Sequence, residues 1–193
     1  MTFRELVEKN RSYRRFDADS GIAVDALREL VDLARHTPSA MNRQPLKYLL
    51  VCGPEANERV FDNLAWAGSL PDWDGPEPHE RPAAYIIILT DRALNAHADR
   101  DVGIAAQTIL LGAVERGLGG CMLGAITRPG LRAAFNIDEE LEIALVVALG
   151  KPAETIVLED AAPGADITYY REPDGTHHVP KRTLGEIIIA VEE

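Results

Sequence analysis

Apolar residues recur along the chain with two different periods, and these periods predict helices that alternate with short strands. Over Val24–Arg35, apolar residues fall at i, i+3, i+4 and i+7, which is the spacing of one helix face. Thr2 and Glu5 have the spacing of a capping box and predict the start of a helix at the N-terminus. The remaining short helices are predicted over 2–10, 55–66, 129–135 and 184–191.

Continuous apolar runs rich in β-branched residues predict buried strands, here over 48–52, 84–89, 121–123 and 143–149. Gly68–Pro82 is rich in proline and glycine and predicts a loop, and residues 153–180 are expected to be irregular, with a turn at Pro173–Gly175. Because the strands are few and alternate with helices, the pattern favours an α+β layer with a central sheet over an open doubly wound sheet. One domain is expected over residues 1–193.

Asp101–Arg116 is predicted to be a long helix with almost no polar face. A helix that is apolar nearly all round is buried in a protein core or in a subunit interface. The periodicity does not distinguish between these two positions.

Composition narrows the class of protein. The formal net charge is −11, which disfavours nucleic acids and anionic membranes as general partners because both require a basic face. No uncharged apolar run approaches the roughly 18 residues of a transmembrane helix, and Met1–Arg15 lacks the features of a signal peptide. A cytoplasmic protein is therefore expected. Cys52 and Cys121 are expected to be small buried residues, with neither a disulfide framework nor a metal site.

Two basic segments could bind an anion in spite of the negative net charge. Arg11 and Arg14, with Ser12 between them, offer bidentate donors and a short hydroxyl donor that suit a phosphate group. Lys181 and Arg182 stand just before the predicted terminal helix, whose N-terminus could complete an anion site. Taken alone, the first segment is better explained as a solvated helix end, and a surface cap is the alternative interpretation of the second.

Two further segments have a composition that suits a flat ligand. Pro38–Pro45 forms a polar turn between a helix and a strand, and its Asn42 and Gln44 amides can each donate and accept, as the edge of a heterocycle requires. Gly117–Gly124 is neither a Walker loop nor a dinucleotide-binding fingerprint, but its glycines would allow the backbone to approach a ring closely. A simple loop and a helix C-cap followed by a strand are the alternative interpretations.

Taken in order, these four segments resemble the nitroreductase family of FMN enzymes over essentially the whole chain. The family's Arg-Ser-x-Arg-x-Phe motif is similar to residues 11–16, and its Pro-Ser-x-x-Asn-x-Gln-Pro motif to residues 38–45. Asp101 and Gly103 match the Asp-x-Gly that opens its central helix, and residues 117–121 match its Gly-Leu-Gly-x-Cys turn. The chain departs from the family at Leu46, where many members have tryptophan, at Gly124, where well-studied members have an acidic residue, and in a short 57–82 region.

The resemblance implies an α+β, nitroreductase-like fold with a central, mainly antiparallel sheet flanked by helices, and with a long buried helix at the interface of a homodimer. It also implies roles for residues. The FMN phosphate would be held by Arg11, Ser12 and Arg14 with Lys181 or Arg182. Residues of the second motif, Pro38, Ser39, Asn42 and Gln44, would contribute to the flavin site, with Asn42 on the polar edge of the ring. The backbone of Met122, Leu123 and Gly124 would line the flavin.

The function implied by the resemblance is hydride transfer from NADH or NADPH, through flavin N5, to a small organic acceptor such as a nitroaromatic or a quinone, with ping-pong kinetics. No side chain is an obvious nucleophile or general base, as expected where a cofactor performs the chemistry. The alternatives are a flavin reductase, a ferredoxin-linked reductase or dehalogenase-like member of the same family, a flavin-binding sensor or carrier without turnover, and an anion-binding module without flavin. Trp66 and Trp73, which flank the proline-rich loop, are packing residues or a cover for the flavin.

Overall fold

The computed structural model describes all 193 residues, which form six α-helices and eight β-strands. Contacts within the chain divide it into two compact units. The first comprises Met1–Trp66 and Gly75–Ala153, and the second comprises Ala67–Asp74 and Glu154–Glu193. No helix combines the length and the apolar character needed to cross a lipid bilayer.

The first unit contains a five-stranded sheet in which every strand pair is antiparallel. Its strands are β1 (Phe16–Asp17), β2 (Leu46–Cys52), β3 (Ala84–Asp91), β4 (Gly119–Leu123) and β5 (Leu141–Pro152). The order is β1-β5-β3-β2, and β4 also pairs with β5. Strand β5 is long enough to hold both β1 and β4 along one edge, which places β4 at a border of the sheet.

Five helices belong to the first unit: α1 (Phe3–Lys9), α2 (Val24–Arg35), α3 (Pro54–Phe61), α4 (Asp99–Glu115) and α5 (Arg128–Phe135). Helices α2 and α4 contribute to one apolar core with alternate residues of β3, among them Ile86 and Ile88. Tyr85 and Ile87, which point to the other face of β3, are also buried. The expected α+β fold with a mainly antiparallel sheet flanked by helices is confirmed.

The second unit corrects the expectation that residues 153–180 are irregular. It contains the strands β6 (Ile156–Ala161), β7 (Tyr170–Arg171) and β8 (His177–Arg182), with β6 and β8 parallel and β7 antiparallel to β8. These strands are short and partly polar, so they lack the apolar runs that identified the strands of the first unit. The predicted turn at Pro173–Gly175 is present, with Gly175 at a φ of 89°.

Two predicted helices end earlier than expected. Helix α3 stops at Phe61 rather than Trp66, because Leu64 forms an antiparallel bridge with Ile126 and the backbone there pairs with residues after β4. The terminal helix α6 is only Leu184–Ile187. The isoleucines that follow are β-branched and exposed, so no packing offsets their low helix propensity.

Candidate functional site

The Arg11–Arg14 segment follows α1 and is attached to strand β4. Arg11 Nη2 donates to the carbonyl of Val7 at 2.7 Å, which satisfies an orphan acceptor near the end of α1. Ser12 forms a parallel bridge with Gly120, and the Tyr13 amide donates to the Gly120 carbonyl at 3.0 Å. The first and third predicted segments, far apart in sequence, are therefore neighbours in the structure.

Arg11 carries a positive charge that no carboxylate neutralises. Its side chain is partly buried, it forms no ion pair, and its Nε atom is buried without a hydrogen-bond partner. Burial lowers the pKa of its guanidinium, and the nearby Tyr13 partly opposes that shift. A partly desolvated guanidinium with an unused donor, beside the exposed Ser12 hydroxyl, is chemically suited to hold an oxyanion such as phosphate.

Strand β4 presents backbone groups at the free border of the sheet. Alternate residues of a strand direct their N–H and C=O groups to the same side. Because Gly120 directs its carbonyl toward Tyr13 and away from β5, Met122 directs its backbone groups to the same outer side. Leu123 is buried and Gly124, just past the strand, is exposed. This border can therefore offer main-chain donors and acceptors to a ligand.

The glycines around β4 are required for different structural reasons. Gly117 ends α4 with a φ of 73°, a left-handed conformation that favours glycine. A Cβ at Gly119 would clash with the Tyr13 ring, and a Cβ at Gly120 would clash with β5. Gly124 has neither constraint, because its φ is not positive and a Cβ there would meet open space. Close packing of the chain on itself thus explains Gly119 and Gly120 without a ligand.

The loop that follows α2 has an unusual backbone. Met41, Asn42 and Gln44 have φ values of 54°, 54° and 49°, a region that residues other than glycine seldom adopt. The Gln44 Nε2 atom donates to Asn42 Oδ1 at 3.0 Å, which fixes the orientation of the Asn42 amide. Pro38, at the start of the loop, is exposed, as are Asn42 and Gln44. The loop therefore presents a held amide to its surroundings.

Asp101 secures this loop and was not among the site residues inferred from the sequence. It is buried near the start of α4 and accepts hydrogen bonds from Ser39 Oγ at 2.8 Å and from the Ala40 amide at 3.4 Å. Ser39 Oγ in turn accepts from the Gln44 amide at 3.0 Å. Burial, and to a lesser degree the charge of Asp101, raises the pKa of Tyr48 to about 12. The Ser39 hydroxyl is thus used within the loop.

The two parts of the first unit that contain predicted site residues lie beside different parts of α4. Asp101 holds the 38–45 loop at the start of this helix. Gly120, to which Ser12 is attached, packs against Leu110 of the same helix. At about 1.5 Å per residue, about 14 Å of helix lies between Asp101 and Leu110.

Lys181 and Arg182 end strand β8 in the second unit, and both are exposed. The expectation that a helix N-terminus completes an anion site beside them is wrong. Helix α6 has only four residues, and its N-terminus is capped by its own residues, since Thr183 and Glu186 form a capping box. Arg182 Nη1 also lies 3.6 Å from Glu186 Oε1.

The two tryptophans have packing partners in their own units. Trp66 is buried against Gly75, and its ring centroid lies 5.8 Å from that of Phe61. Trp73 lies under the Arg171 guanidinium, 4.7 Å from its carbon to the ring centroid. Packing accounts for both side chains.

A cleft of about 420 Å³ in the first unit contains none of the predicted site residues. It lies between α3 and the segment that leads into β3. Its arginine, Arg81, is already paired with Glu58 and stacked 3.8 Å from the Phe61 ring centroid. A smaller cleft of about 260 Å³ adjoins the 38–45 loop and is lined by Ser39, Gln44 and Asp101.

The fold and these features define an α+β protein in which a basic segment lies at the border of an antiparallel sheet. The sequence model of the nitroreductase family matches residues 7–151, about three quarters of the chain. The chain therefore belongs to the nitroreductase family, a family of NAD(P)H oxidoreductases.

Individual proteins agree with this assignment. A Methanothermobacter thermautotrophicus protein, provisionally named NADH dehydrogenase/NAD(P)H nitroreductase, is 28% identical over 161 residues, covering 80% of this chain and 79% of that protein. Iodotyrosine deiodinase of Thermotoga neapolitana is 25% identical over 170 residues, covering 77% of this chain and 87% of the deiodinase. A provisionally named nitroreductase of Exiguobacterium sibiricum, solved in complex with FMN, has the same fold with a TM-score of 0.66 at 17% identity, covering 80% and 90% of the two chains.

Proposed function

We propose that this protein is an FMN-dependent oxidoreductase that uses NADH or NADPH to reduce a small organic acceptor such as a nitroaromatic or a quinone. Its family membership supports this activity, as does the FMN complex of the Exiguobacterium sibiricum protein. The observation that carries the proposal is the uncompensated Arg11 guanidinium beside Ser12, next to the free border of β4. This combination of a charged fork, a hydroxyl and main-chain groups suits a phosphorylated flat molecule.

The residues present fit FMN in kind. Arg11, Ser12 and Arg14 would hold the phosphate. The Met122, Leu123 and Gly124 backbone would lie along the ring, and Asn42 would bond its polar edge. When bound, FMN supplies the hydride chemistry, which no side chain of this site can perform.

We also propose a homodimer, as the family resemblance implies. The Arg11–Arg14 segment of one protomer and the Asn42 amide of its partner would form each site. The nearly apolar α4, whose Ile104 is 41% exposed, would lie in that interface.

The protein's own groups would bind and orient the flavin and stabilise its reduced form. The basic phosphate site anchors the cofactor, and donors near the ring favour its reduced, negatively charged form. Donor and acceptor would use one exposed ring face in turn, which predicts ping-pong kinetics. Small-molecule partners, rather than nucleic acid or membrane, agree with the net charge of −11.

Arg14→Ala tests the phosphate site. This variant should bind FMN at least roughly ten-fold more weakly, since it loses a charge-assisted hydrogen bond, and should keep the native melting temperature without FMN. Arg28→Ala is the matched control, because Arg28 is exposed and paired only with Asp25. Fluorescence titration of FMN into each protein measures the effect. Equal affinity in the native protein and the Arg14 variant would remove the proposed role.

Anaerobic titration of the FMN-loaded protein with NADH and NADPH tests the activity itself. Bleaching of the flavin absorbance, followed by reoxidation with menadione or a nitroaromatic, is expected. A yellow protein that neither nucleotide bleaches would instead be a carrier or would use another donor.

Reductive dehalogenation is a second candidate, favoured by the likeness to the Thermotoga neapolitana iodotyrosine deiodinase. Iodide release from iodotyrosine by the reduced protein, at a rate above that with quinones, would support dehalogenation over the first proposal.

A further inference from the structure

Asp101 is the buried acidic residue that connects α4 to the 38–45 loop. Only 5% of its surface is exposed, and it forms no ion pair with any lysine or arginine. Its two carboxylate oxygens are satisfied by Ser39 Oγ and by the Ala40 amide. A buried carboxylate is tolerated only where hydrogen bonds replace its lost hydration. Asp101 therefore needs the donors of this loop, and the loop in turn is held by Asp101.

The loop needs such an anchor because of its backbone. Three residues that are not glycine, Met41, Asn42 and Gln44, adopt left-handed φ values within four positions. Conformations of this kind persist only when the surroundings determine them strongly. Ser39 Oγ donates to Asp101 and accepts from the Gln44 amide, and these two hydrogen bonds supply that determination.

The same connections reach the Asn42 side chain. Ser39 Oγ accepts from the Gln44 backbone at 3.0 Å, and the Gln44 side chain holds Asn42 Oδ1 at 3.0 Å. Asp101 therefore controls the direction of an exposed amide that it does not touch.

We propose that Asp101 is a positioning residue that presents the Asn42 amide to the flavin, an inference that rests on the proposed FMN-dependent function. Ser39 serves this connection through its hydroxyl rather than as a direct flavin contact. Loss of the hydrogen bonds between Asp101, Ser39 and Gln44 should leave the phosphate site intact and move the Asn42 amide that bonds the flavin ring.

Asp101→Asn is the principal variant, and Asp99→Asn is its matched control. Both changes remove one charge from the first turn of α4, but Asp99 is exposed and takes no part in the loop. Asparagine keeps one carbonyl oxygen, so the Asp101 variant places an amide N–H₂ against either the Ser39 or the Ala40 donor. It should lower FMN affinity roughly ten-fold, the effect of about one lost hydrogen bond. It should also shift the flavin midpoint potential in the same direction as Asn42→Ala, whereas Asp99→Asn should leave both properties native.

Ser39 gives a second test that retains Asp101. Ser39→Ala should reproduce the shift in potential, and Ser39→Thr should restore the native value, because threonine keeps the hydroxyl and suits the extended backbone at this position (φ −125°). If Asp101→Asn does not fold, this pair decides the matter. A native potential in Ser39→Ala would overturn the proposal.

Hydrogen exchange of the FMN-free protein separates this inference from the proposed function. The Ala40 and Gln44 amides should exchange faster in Asp101→Asn than in Asp99→Asn, whether or not the protein binds flavin. If the native protein binds no FMN, the proposed function fails, and unchanged exchange would show that the anchoring is wrong as well. If FMN binds and Asp101→Asn keeps the native affinity and potential, the role of Asp101 fails while the proposed function stands.

Discussion

Replacing Gly120 with alanine is expected to displace strand β4 and, with it, the segment that contains Arg11 and Arg14. A Cβ at this position would lie within 3.0 Å of the carbonyl oxygen of Ala148 in β5, and 2.7 Å from Leu110 Cδ2 in α4. The first of these atoms belongs to a paired backbone and cannot rotate away. Strand β4 must therefore move outward, toward Ser12 and Tyr13, which pair with Gly120 on the other side.

The cost can be judged from two opposing effects. Overpacking of a core site destabilises by roughly 1–3 kcal/mol, and the contact with backbone places this case in the upper part of that range. Reduced freedom of the unfolded chain recovers about 0.4–1 kcal/mol when glycine becomes alanine. A net loss of about 2 kcal/mol lowers the melting temperature of a chain of this size by roughly 4–8 °C.

Gly124→Ala is the matched control. Gly124 has no atom within 4 Å of a Cβ and no positive φ, so alanine should leave the stability unchanged or raise it by up to about 1 kcal/mol. Thermal melts of both FMN-free variants at one protein concentration measure the difference, and FMN titration of Gly120→Ala against the native protein then reports the Arg11–Arg14 segment. If Gly120→Ala melts at the native temperature, the tight contact of β4 with β5 is not required, and the explanation given for this glycine is wrong.

Two further predictions concern charged contacts outside the candidate site. Burial raises the pKa of the Glu80 carboxyl, but the hydrogen bond and charge of Arg15 outweigh it and hold the pKa below its ordinary value. The stabilisation is therefore present above the unfolded pKa of about 4.3 and is lost as the pH falls through the folded pKa. Glu80→Gln should lower the stability at pH 7 by about 1–3 kcal/mol and lose that difference below about pH 4, and an equal difference at both pH values in denaturant titrations would contradict this. Arg171→Ala removes the guanidinium that donates to the Glu154 carboxylate at 3.0 Å and should cost about 1–3 kcal/mol, seen as faster hydrogen exchange over β6–β8 than in the native protein; native exchange would refute it.

The sequence predicted the first unit well because its elements depend on local pattern. The bounds of α2 agree with the apolar periodicity, and the capping box at Thr2 and Glu5 is formed. Strands β3 and β5 are continuous apolar runs that are covered on both faces. In each of these cases, burial and local geometry favour the same structure.

The second unit was missed because its sheet lacks such a pattern. Strand β8 contains His177 and His178 together with a proline and two basic residues, and most of it lies within the stretch that was expected to be irregular. Its position is set by parallel pairing with β6, twenty-one residues earlier in register. Pairing between distant segments is not encoded in the local period of either strand.

In the candidate site, too, the sequence indicated which residue types could bind a ligand but not where the fold places them. The sequence identified Arg11, Ser12 and Arg14 by their donor chemistry, and chemistry of this kind is carried by residue type alone. It assigned Gly119 and Gly120 to close approach of a ligand, whereas the structure shows that β5, α4 and Tyr13 already require them. A glycine in the sequence indicates that another group approaches the backbone closely, but only the fold shows whether that group belongs to the chain or to a ligand.

Asp101 marks the limit of sequence reasoning more sharply. Asp101 was noticed only as part of the Asp-x-Gly that opens the central helix, and an acidic residue in the first turn of a helix is already explained by the helix dipole. Nothing local therefore predicts its contact with the 38–45 loop. That contact arises only when the fold brings Ser39 to the Asp101 carboxylate, across 62 positions of sequence, while leaving Asp99 in solvent. A motif on one loop and a motif on one helix thus become parts of a single hydrogen-bonded unit. Variation at Asp101 should accordingly be read together with Ser39 and Gln44, rather than as a change in the charge of α4.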